Sequence, residues 1–355
     1  MGNKPLIDVI VPVYNGAKYI PGFAERMVRQ ADGCVRFLFV DDGSEDDTPA
    51  RLREVQEAGR LPMKIIPRRH AGVGAARNAG LDAAEAEYLA FFDIDDTCAP
   101  DYTAAIRKEA EKGGFDVLVF FRKILYDPAE PVPAEEGIES RPVTKTEMLK
   151  AVLLEEHIYS TGIYTILVNR AFAAENGLRF AEGYPYYEDG DFEYRALACA
   201  ERVSRLDRRL YGYIVKHEGS AMARFTPERV RCLELHRNLE KVFDEKDPAF
   251  APVFRQYAVA RIFWSVLWQA ALVAPDEKSF LHFAEETKAA DFMRRLKGYP
   301  ETKIQTLRRL FLISRRLYYR TVKTLGGKYT LLGKTDAKTL DEAARACPDP
   351  GEERV

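Results

Sequence analysis

An α/β fold is what this sequence predicts: a mostly parallel sheet flanked by helices, followed by a C-terminal helical region. Three observations carry the prediction. Apolar runs rich in β-branched and aromatic residues alternate with helix-period segments through residues 6–111. The runs are apolar on both faces, as strands buried in a parallel sheet are. From Thr226 onward, long helical patterns replace the strands.

Residues 6–13 form a continuous β-branched run suited to a central strand, and Tyr14-Asn15-Gly16 closes it with turn residues. Residues 19–30 carry Ile20, Phe23 and Met27 at helical spacing. A second buried strand, 35–40, ends in Asp41-Asp42-Gly43-Ser44, and Thr48-Pro49 reads as an N-cap with proline at the first helical position. Residues 63–66 are a short third strand. The loop His70-Ala71-Gly72-Val73-Gly74 then leads into an alanine-rich helix carrying Arg77 and Asn78. The fourth strand, Tyr88-Leu89-Ala90-Phe91-Phe92, ends abruptly in Asp93-Ile94-Asp95-Asp96.

After Pro100 a helix over 102–111 precedes a strand at 117–121, and the proline- and glutamate-rich stretch 127–142 reads as an exposed excursion. Thr144-Lys145-Thr146-Glu147 matches a capping box, so a helix begins there. Residues 163–168 are β-like, and Asn176-Gly177 reads as a helix stop. A second acidic cluster, Glu188-Asp189-Gly190-Asp191, follows the aromatics Tyr184, Tyr186 and Tyr187. Two short strands, 203–206 and 210–214, lead to His217. We therefore expect a first domain over 1–225, a helical accessory region over 226–335 with Phe263, Trp264, Leu267 and Trp268 in its core, and a poorly ordered charged tail over 336–355.

Apolar residues make up 46% and charged residues 30% of the 355, the balance of a soluble protein with a substantial core. A formal net charge of -2 argues against nucleic-acid binding by bulk attraction. Five scattered cysteines without C-x-x-C spacing favour reduced thiols, hence a cytoplasmic location, over disulfides or a zinc site. No signal-like segment opens the sequence, and no stretch approaches ~20 uninterrupted apolar residues.

Ligands of parallel α/β sheets bind beyond the carboxyl ends of the strands. Asn15, the Asp41-Asp42 pair and Asp93-Asp95-Asp96 all sit at such ends and are expected to converge. Three like charges within four residues repel one another, and a hard divalent cation, Mg²⁺ or Mn²⁺, would relieve that crowding.

The order of motifs resembles the inverting nucleotide-sugar glycosyltransferases of family 2, which have the GT-A (Rossmann-like) fold. The matching residues are Val11-Pro12-Val13-Tyr14-Asn15, Val40-Asp41-Asp42-Gly43-Ser44, Ala76-Arg77-Asn78-Ala79-Gly80, Phe92-Asp93-Ile94-Asp95-Asp96 and Glu188-Asp189. The resemblance implies transfer of a sugar from a nucleoside diphosphate donor, UDP by family likeness, to a hydroxyl of a glycan or lipid-linked acceptor. It implies that Pro12, Tyr14 and Asn15 line the nucleotide pocket, that Asp42 accepts from the base, and that Arg77 lies near the donor. Asp93 and Asp95 are the D-x-D element: Asp95 and Asp96 would hold Mn²⁺ or Mg²⁺, and Asp93 would reach the ribose or a bound water. Asp189 matches the catalytic base, and His217 falls where relatives contact the diphosphate or metal. Glu188 and Asp191 are expected to raise the proton affinity of Asp189 by like-charge repulsion. Two positions depart from the pattern: His70 replaces a usual asparagine, and Gly190-Asp191 follows the acid pair where an aromatic or aliphatic residue is frequent.

Each motif also has an ordinary structural reading. Asp42-Gly43-Ser44 is a turn and cap, Arg77-Asn78 a solvated pair, Glu188-Asp189 a complement to a helix dipole, and His217 a surface histidine. Asp93-Ile94-Asp95-Asp96-Thr97 also resembles the nucleophile motif of haloacid-dehalogenase-like phosphatases, with Asp93 attacking phosphorus and Asp95 as acid/base. There it ends the first strand; here it ends the fourth. A non-catalytic nucleotide-sugar-binding protein is the third reading. An EF-hand is a weaker reading still, since the loop lacks its glycine and twelfth-position glutamate. Residues 303–320 mix arginine with large apolar side chains at helical spacing, suiting either an interfacial helix on an anionic, inner-face membrane surface or a helix packed on its own domain.

Overall fold

The computed structural model describes residues 4–31, 33–155, 161–215, 225–326, 335–348 and 350. The chain divides into two units, the first made of 1–152, 156–183 and 188–215, the second of 153–155, 184–187 and 216–355. The last division follows residue 215, and residues 216–224, which lead to the boundary expected near 225, lie outside the described residues.

In the first unit the chain runs β1 (Ile7–Val13), α1 (Ile20–Val28), β2 (Val35–Asp41), α2 (Thr48–Glu57), β3 (Met63–Pro67), α3 (Val73–Ala83), β4 (Tyr88–Phe91), β5 (Thr97–Cys98), α4 (Tyr102–Lys112), β6 (Val117–Leu125), β7 (Arg141–Val143), α5 (Lys145–Leu154), β8 (Ile166–Asn169), α6 (Arg170–Glu175), α7 (Glu188–Cys199) and β9 (Val203–Ile214). The strands form one sheet in the order β3-β2-β1-β4-β8-β6-β9-β5, with β7 also pairing β9. The four expected strands β1 to β4 are parallel. Beyond β4 the sheet is mixed, because β8 runs antiparallel to both β4 and β6 while β6 and β9 are parallel.

Pro12 lies in a central strand without disrupting it. Ile10, two residues earlier and pointing the same way, accepts from Phe92 N at 3.0 Å, and β4 has ended by then. The absent N–H of Pro12 thus faces a position with no partner strand. Helix α3 packs closely on β1: a Cβ at Gly80 would lie 2.4 Å from Ile10 Cγ2, so only glycine permits this approach. Under α1, Phe23 meets Phe37, Phe39 and Phe92 edge-on at 5.3 to 5.7 Å.

Carboxylates at the amino ends of strands hold the frame. Asp8, fully buried, accepts from Arg36 Nε at 2.8 Å and from the backbone of Glu85 and Ala86. Asp116 likewise binds Arg202 and the backbone of Glu201 and Arg202. These charges are consumed by structure, which leaves the carboxyl-end acids as the candidates for chemistry.

The second unit contains α8 (Glu228–Lys246), α9 (Ala251–Val273), α10 (Glu277–Glu286), α11 (Ala289–Arg295), α12 (Thr302–Ile313), α13 (Arg315–Gly326) and α14 (Ala337–Ala346). Phe263, Trp264 and Leu267 are in its core, with Trp268 packed against it. The run 303–320 is broken at Ser314 into two helices. The segment expected to be a poorly ordered tail instead forms α14: Asp336 caps it through Thr339 N at 2.7 Å, and Leu340, Ala343 and Ala344 are buried. Three apolar positions spaced for one helix face outweigh the charged composition.

Candidate active site

The parallel register brings the carboxyl ends of β1, β2 and β4 to one edge of the sheet. At the end of β1, Asn15 adopts a left-handed φ of 49°, and its side chain accepts from Glu45 N at 2.8 Å while its N–H donates to Ser44 Oγ at 2.9 Å. Asn15 therefore ties the β1 turn to the β2 turn. Tyr14 is 46% exposed and stacks on His70 at 4.1 Å, forming a flat aromatic surface on this edge.

Asp42 is buried behind it. Its carboxylate accepts from Arg68 at 2.8 Å and from the N–H groups of Ala71 and Gly72, the latter at 2.8 Å, and it lies 2.9 Å from His70 Nδ1. Those donors occupy its lone-pair directions, so Asp42 fastens the 68–72 loop under the aromatic surface. Gly43 beside it needs its positive φ of 74°, and a Cβ there would lie 2.7 Å from His70 N. A direct bond from Asp42 to a nucleotide base, expected from the sequence, would require displacing one of these donors.

Arg77 is not solvated. It is buried on α3 and donates to Asp93 Oδ1 and to Glu188 Oε1, both at 2.8 Å. Neighbouring Asn78 donates to Phe180 O at 3.0 Å and Glu182 Oε1 at 2.9 Å, and accepts from Phe180 N at 2.9 Å. The pair thus clamps the segment leading to Glu188 and joins the D-x-D turn to the start of α7. Asp189, half-buried in the first turn of α7, accepts from Gly190 N at 2.8 Å, and its charge is felt at Arg77, Glu188, Asp93 and Tyr213.

Burial raises the proton affinity of Asp93; the charges of Asp95 and Asp189 add to this and Arg77 opposes it. Burial, then the charge of Asp189, pushes Glu188 up to about 7 against the pull of Arg77. The sequence located this effect on Asp189 and attributed part of it to Asp191. Asp191 is buried and held by Arg195 at 2.9 Å, burial raises its own proton affinity, and the charge of Asp189 acts in turn on Glu188.

Asp96 departs from its expected role as a metal ligand. It is buried, with Oδ2 accepting from Tyr211 at 2.6 Å and Oδ1 from Ile214 N at 2.8 Å, and burial raises its proton affinity well above the usual carboxylate range. The crowding of Asp93, Asp95 and Asp96 is therefore relieved within the protein, by Arg77 on Asp93 and by this enclosure of Asp96. Crowding alone does not require a cation. His217 lies outside the described residues.

Among the described residues no cluster of three or more histidine, cysteine, aspartate or glutamate side chains is arranged to hold an ion. Half-buried Asp95, in the Asp93–Asp96 turn closed by Asp96 N to Asp93 O at 3.1 Å, and Asp93, 29% exposed, are the carboxylates at the open edge. Such a sparse oxygen set fits a Mg²⁺-type ion that completes its shell with substrate phosphates and water. The sequence missed Tyr211, Tyr213 and Tyr164. Strand alternation in Tyr211-Gly212-Tyr213 puts both tyrosines on one face, and that was the available signal.

The pattern of the family described as Glycosyl transferase family 2 matches residues 8–167. A Bacillus subtilis protein named uncharacterized glycosyltransferase EpsJ is 31% identical over 217 residues, 59% of this chain and 61% of its own length. A Staphylococcus aureus poly(ribitol-phosphate) β-N-acetylglucosaminyltransferase, TarS, is 28% identical over 61% of this chain and 36% of its own. The chain thus spans about three fifths of EpsJ and a smaller share of TarS. Among solved structures, TarS residues 1–349 with UDP-GlcNAc superposes with a TM-score of 0.63 at 22% identity, covering 91% of this chain and 92% of that one. A Pyrobaculum calidifontis mannosyltransferase with GDP-Man and Mn²⁺ gives 0.53 at 17% identity, covering 96% and 86%. The fold is shared with both, and in this chain β4, not β1, leads into the D-x-D-x-T sequence that the phosphatase reading needed at the first strand. Residues 8–167, within the first unit, thus carry the pattern of glycosyl transferase family 2, and the chain has the GT-A fold.

Proposed function

We propose that this protein transfers a sugar, with inversion at the anomeric carbon, from a nucleoside diphosphate donor to an acceptor hydroxyl. The observation that carries this reading is Arg77 bonded to both Asp93 and Glu188, which fixes the D-x-D turn beside the residue that would act as base. Asp189 takes the acceptor's proton as the acceptor oxygen bonds to the anomeric carbon. The bond from that carbon to the β-phosphate oxygen breaks, and the nucleoside diphosphate leaves with the electron pair.

Tyr14 and His70 offer the base a stacking surface, Asn15 and Pro12 shape the pocket, and Asp42 keeps the 68–72 loop in place. Asp95, with Asp93 beside it, would hold Mg²⁺ or Mn²⁺, whose charge stabilises the departing diphosphate. UDP is the nucleotide we favour, since a relative of 28% identity is named as an N-acetylglucosaminyltransferase and its solved form carries UDP-GlcNAc. The acceptor belongs to cell-surface polysaccharide or another glycoconjugate, and we place the reaction in the cytoplasm.

Among the described residues no helix is long and apolar enough to cross a membrane. A peripheral contact is supported by Leu312, Ile313 and Leu317, exposed at 37%, 81% and 49% beside exposed Arg309, Arg316 and Arg320. Glu277 pairs with Arg316 and Arg320, which weakens that pull. Co-sedimentation with phosphatidylglycerol liposomes at low salt, but not with phosphatidylcholine, is expected; no binding to either removes this contact.

A donor screen that detects released nucleoside diphosphate, with Mn²⁺ or Mg²⁺ present, tests the main reading. Turnover is expected with a UDP-sugar and is abolished in Asp95→Ala. Hydrolysis of phosphomonoesters without nucleotide-sugar turnover overturns it.

A further inference from the structure

Half-buried Arg122 stands out among the cations of the first unit. Its Nε is buried and bonded to nothing, and among the described residues its only close partners are two tyrosine rings. The guanidinium carbon lies 4.8 Å from the ring centre of Tyr213 and 5.3 Å from that of Tyr164. Arg77 and Arg208 also bury an unbonded Nε, but each commits its terminal nitrogens to carboxylates. Leaving a buried donor unpaired is costly, so a position that keeps one calls for a reason.

The local backbone is shaped to present this side chain. The pairing of β6 with β9 loses register between Val119 and Phe121 and again between Phe121 and Arg122. Such irregularities re-aim a side chain and are common beside active sites. The platform beneath it is rigid, since Tyr164 is buried and stacks on Tyr211 at 4.3 Å, and Tyr211 in turn bonds Asp96. The location is close to the chemistry: Tyr213 feels Arg122 together with Asp93, Asp96 and Asp189.

The sheet order gives the direction. β1 and β2, which carry Tyr14, Asn15 and Asp42, lie on one side of β4, and β6 and β9 lie on the other. A group gripped by Arg122 therefore approaches the acids from the side opposite the nucleotide residues. Exposed Ile124, on the same face of β6 as Arg122, continues that surface outward.

We propose that Arg122, seated on Tyr213 and Tyr164, is a specificity residue that binds an oxyanion of the acceptor, a phosphate or a carboxylate, and so selects anionic acceptors. This rests on the transferase reading above. A guanidinium whose terminal nitrogens bond none of the described residues suits bidentate pairing with either group, and lysine would supply the charge without the planar stack.

The test uses the full chain and four small probes, glycerol 1-phosphate and glucuronate against neutral glycerol and glucose, titrated by ligand-observed NMR with and without saturating UDP and Mn²⁺. One anionic probe is expected to bind about tenfold or more tighter than its neutral counterpart, and which one identifies phosphate or carboxylate as the group recognised. Arg122→Met, which keeps the apolar stem, is expected to remove that margin while UDP affinity stays within about twofold. Arg122→Lys serves as a second variant that preserves charge, and it should retain part of the margin. No preference for anions in the wild type, or a preference undiminished in Arg122→Met, overturns the proposal. So does a loss of UDP affinity matching the loss of probe binding, which would assign Arg122 to the donor. The titrations without UDP decide the point even if no nucleotide binds, a result that would sink the transferase reading separately.

Discussion

Replacing Glu188 by glutamine tests the electrostatics of the site through stability alone. Burial and the neighbouring charge of Asp189 push this carboxyl from its ordinary 4.5 to about 7. An acid whose folded-state affinity for protons is raised stabilises the fold fully below its unfolded value, and that stability is lost as pH rises through the folded one. The window is therefore about pH 4.5 to 7, and the displacement corresponds to roughly 3 kcal/mol. Glutamine keeps the oxygen that accepts from Arg77 at 2.8 Å and has no proton to lose in this range. Thermal unfolding of the wild type without nucleotide or metal should fall by roughly 6–12 °C for the first unit between pH 5 and pH 8 on account of this group. In Glu188→Gln that part of the slope should vanish. Parallel pH profiles for the two proteins would refute the claim that Glu188 has a raised proton affinity in the fold.

Arg77→Met removes the one guanidinium shared by Asp93 and Glu188, and breaking a buried pair of this kind costs about 3–5 kcal/mol. The loss should be largest at pH 8 and smaller at pH 5, where Glu188 takes up a proton; calorimetry at both values checks the sign. Leu340→Ala should destabilise the second unit by about 2–4 kcal/mol, because Leu340 is 1% exposed in α14. An unchanged unfolding temperature would mean that α14 does not pack.

The parallel half of the sheet was legible because β4 is wholly apolar and β1 and β2 are apolar apart from Asp8, Arg36 and the terminal Asp41. β9 was harder. It runs unbroken through Asp207-Arg208-Arg209, which looked like a gap between two strands. Arg208 is paired with Asp101, Arg209 with Glu135 and Asp207 with Arg205, so tertiary ion pairs make charged residues compatible with the strand. The same limit governed the site. Asn15, Asp42, Arg77, Asp93 and Asp189 could be marked from motifs, but the partners of Arg77 lie 16 and 111 residues away, and nothing local signals its burial. Asp96 was read from the sequence as a second metal ligand after Asp95; the return of β9, bringing Tyr211 and Ile214 N, is what encloses it.

The most direct test of the account compares transfer with donor binding in Asp189→Asn. Isothermal titration with UDP and Mn²⁺, beside release of UDP from a donor that the wild type turns over, gives both quantities. The account predicts UDP affinity within about twofold of wild type and turnover reduced by about 10²-fold or more, as expected for losing a general base. Turnover near the wild-type rate, or a loss of UDP affinity that accounts for the whole decrease, would contradict the assignment of Asp189 as the base.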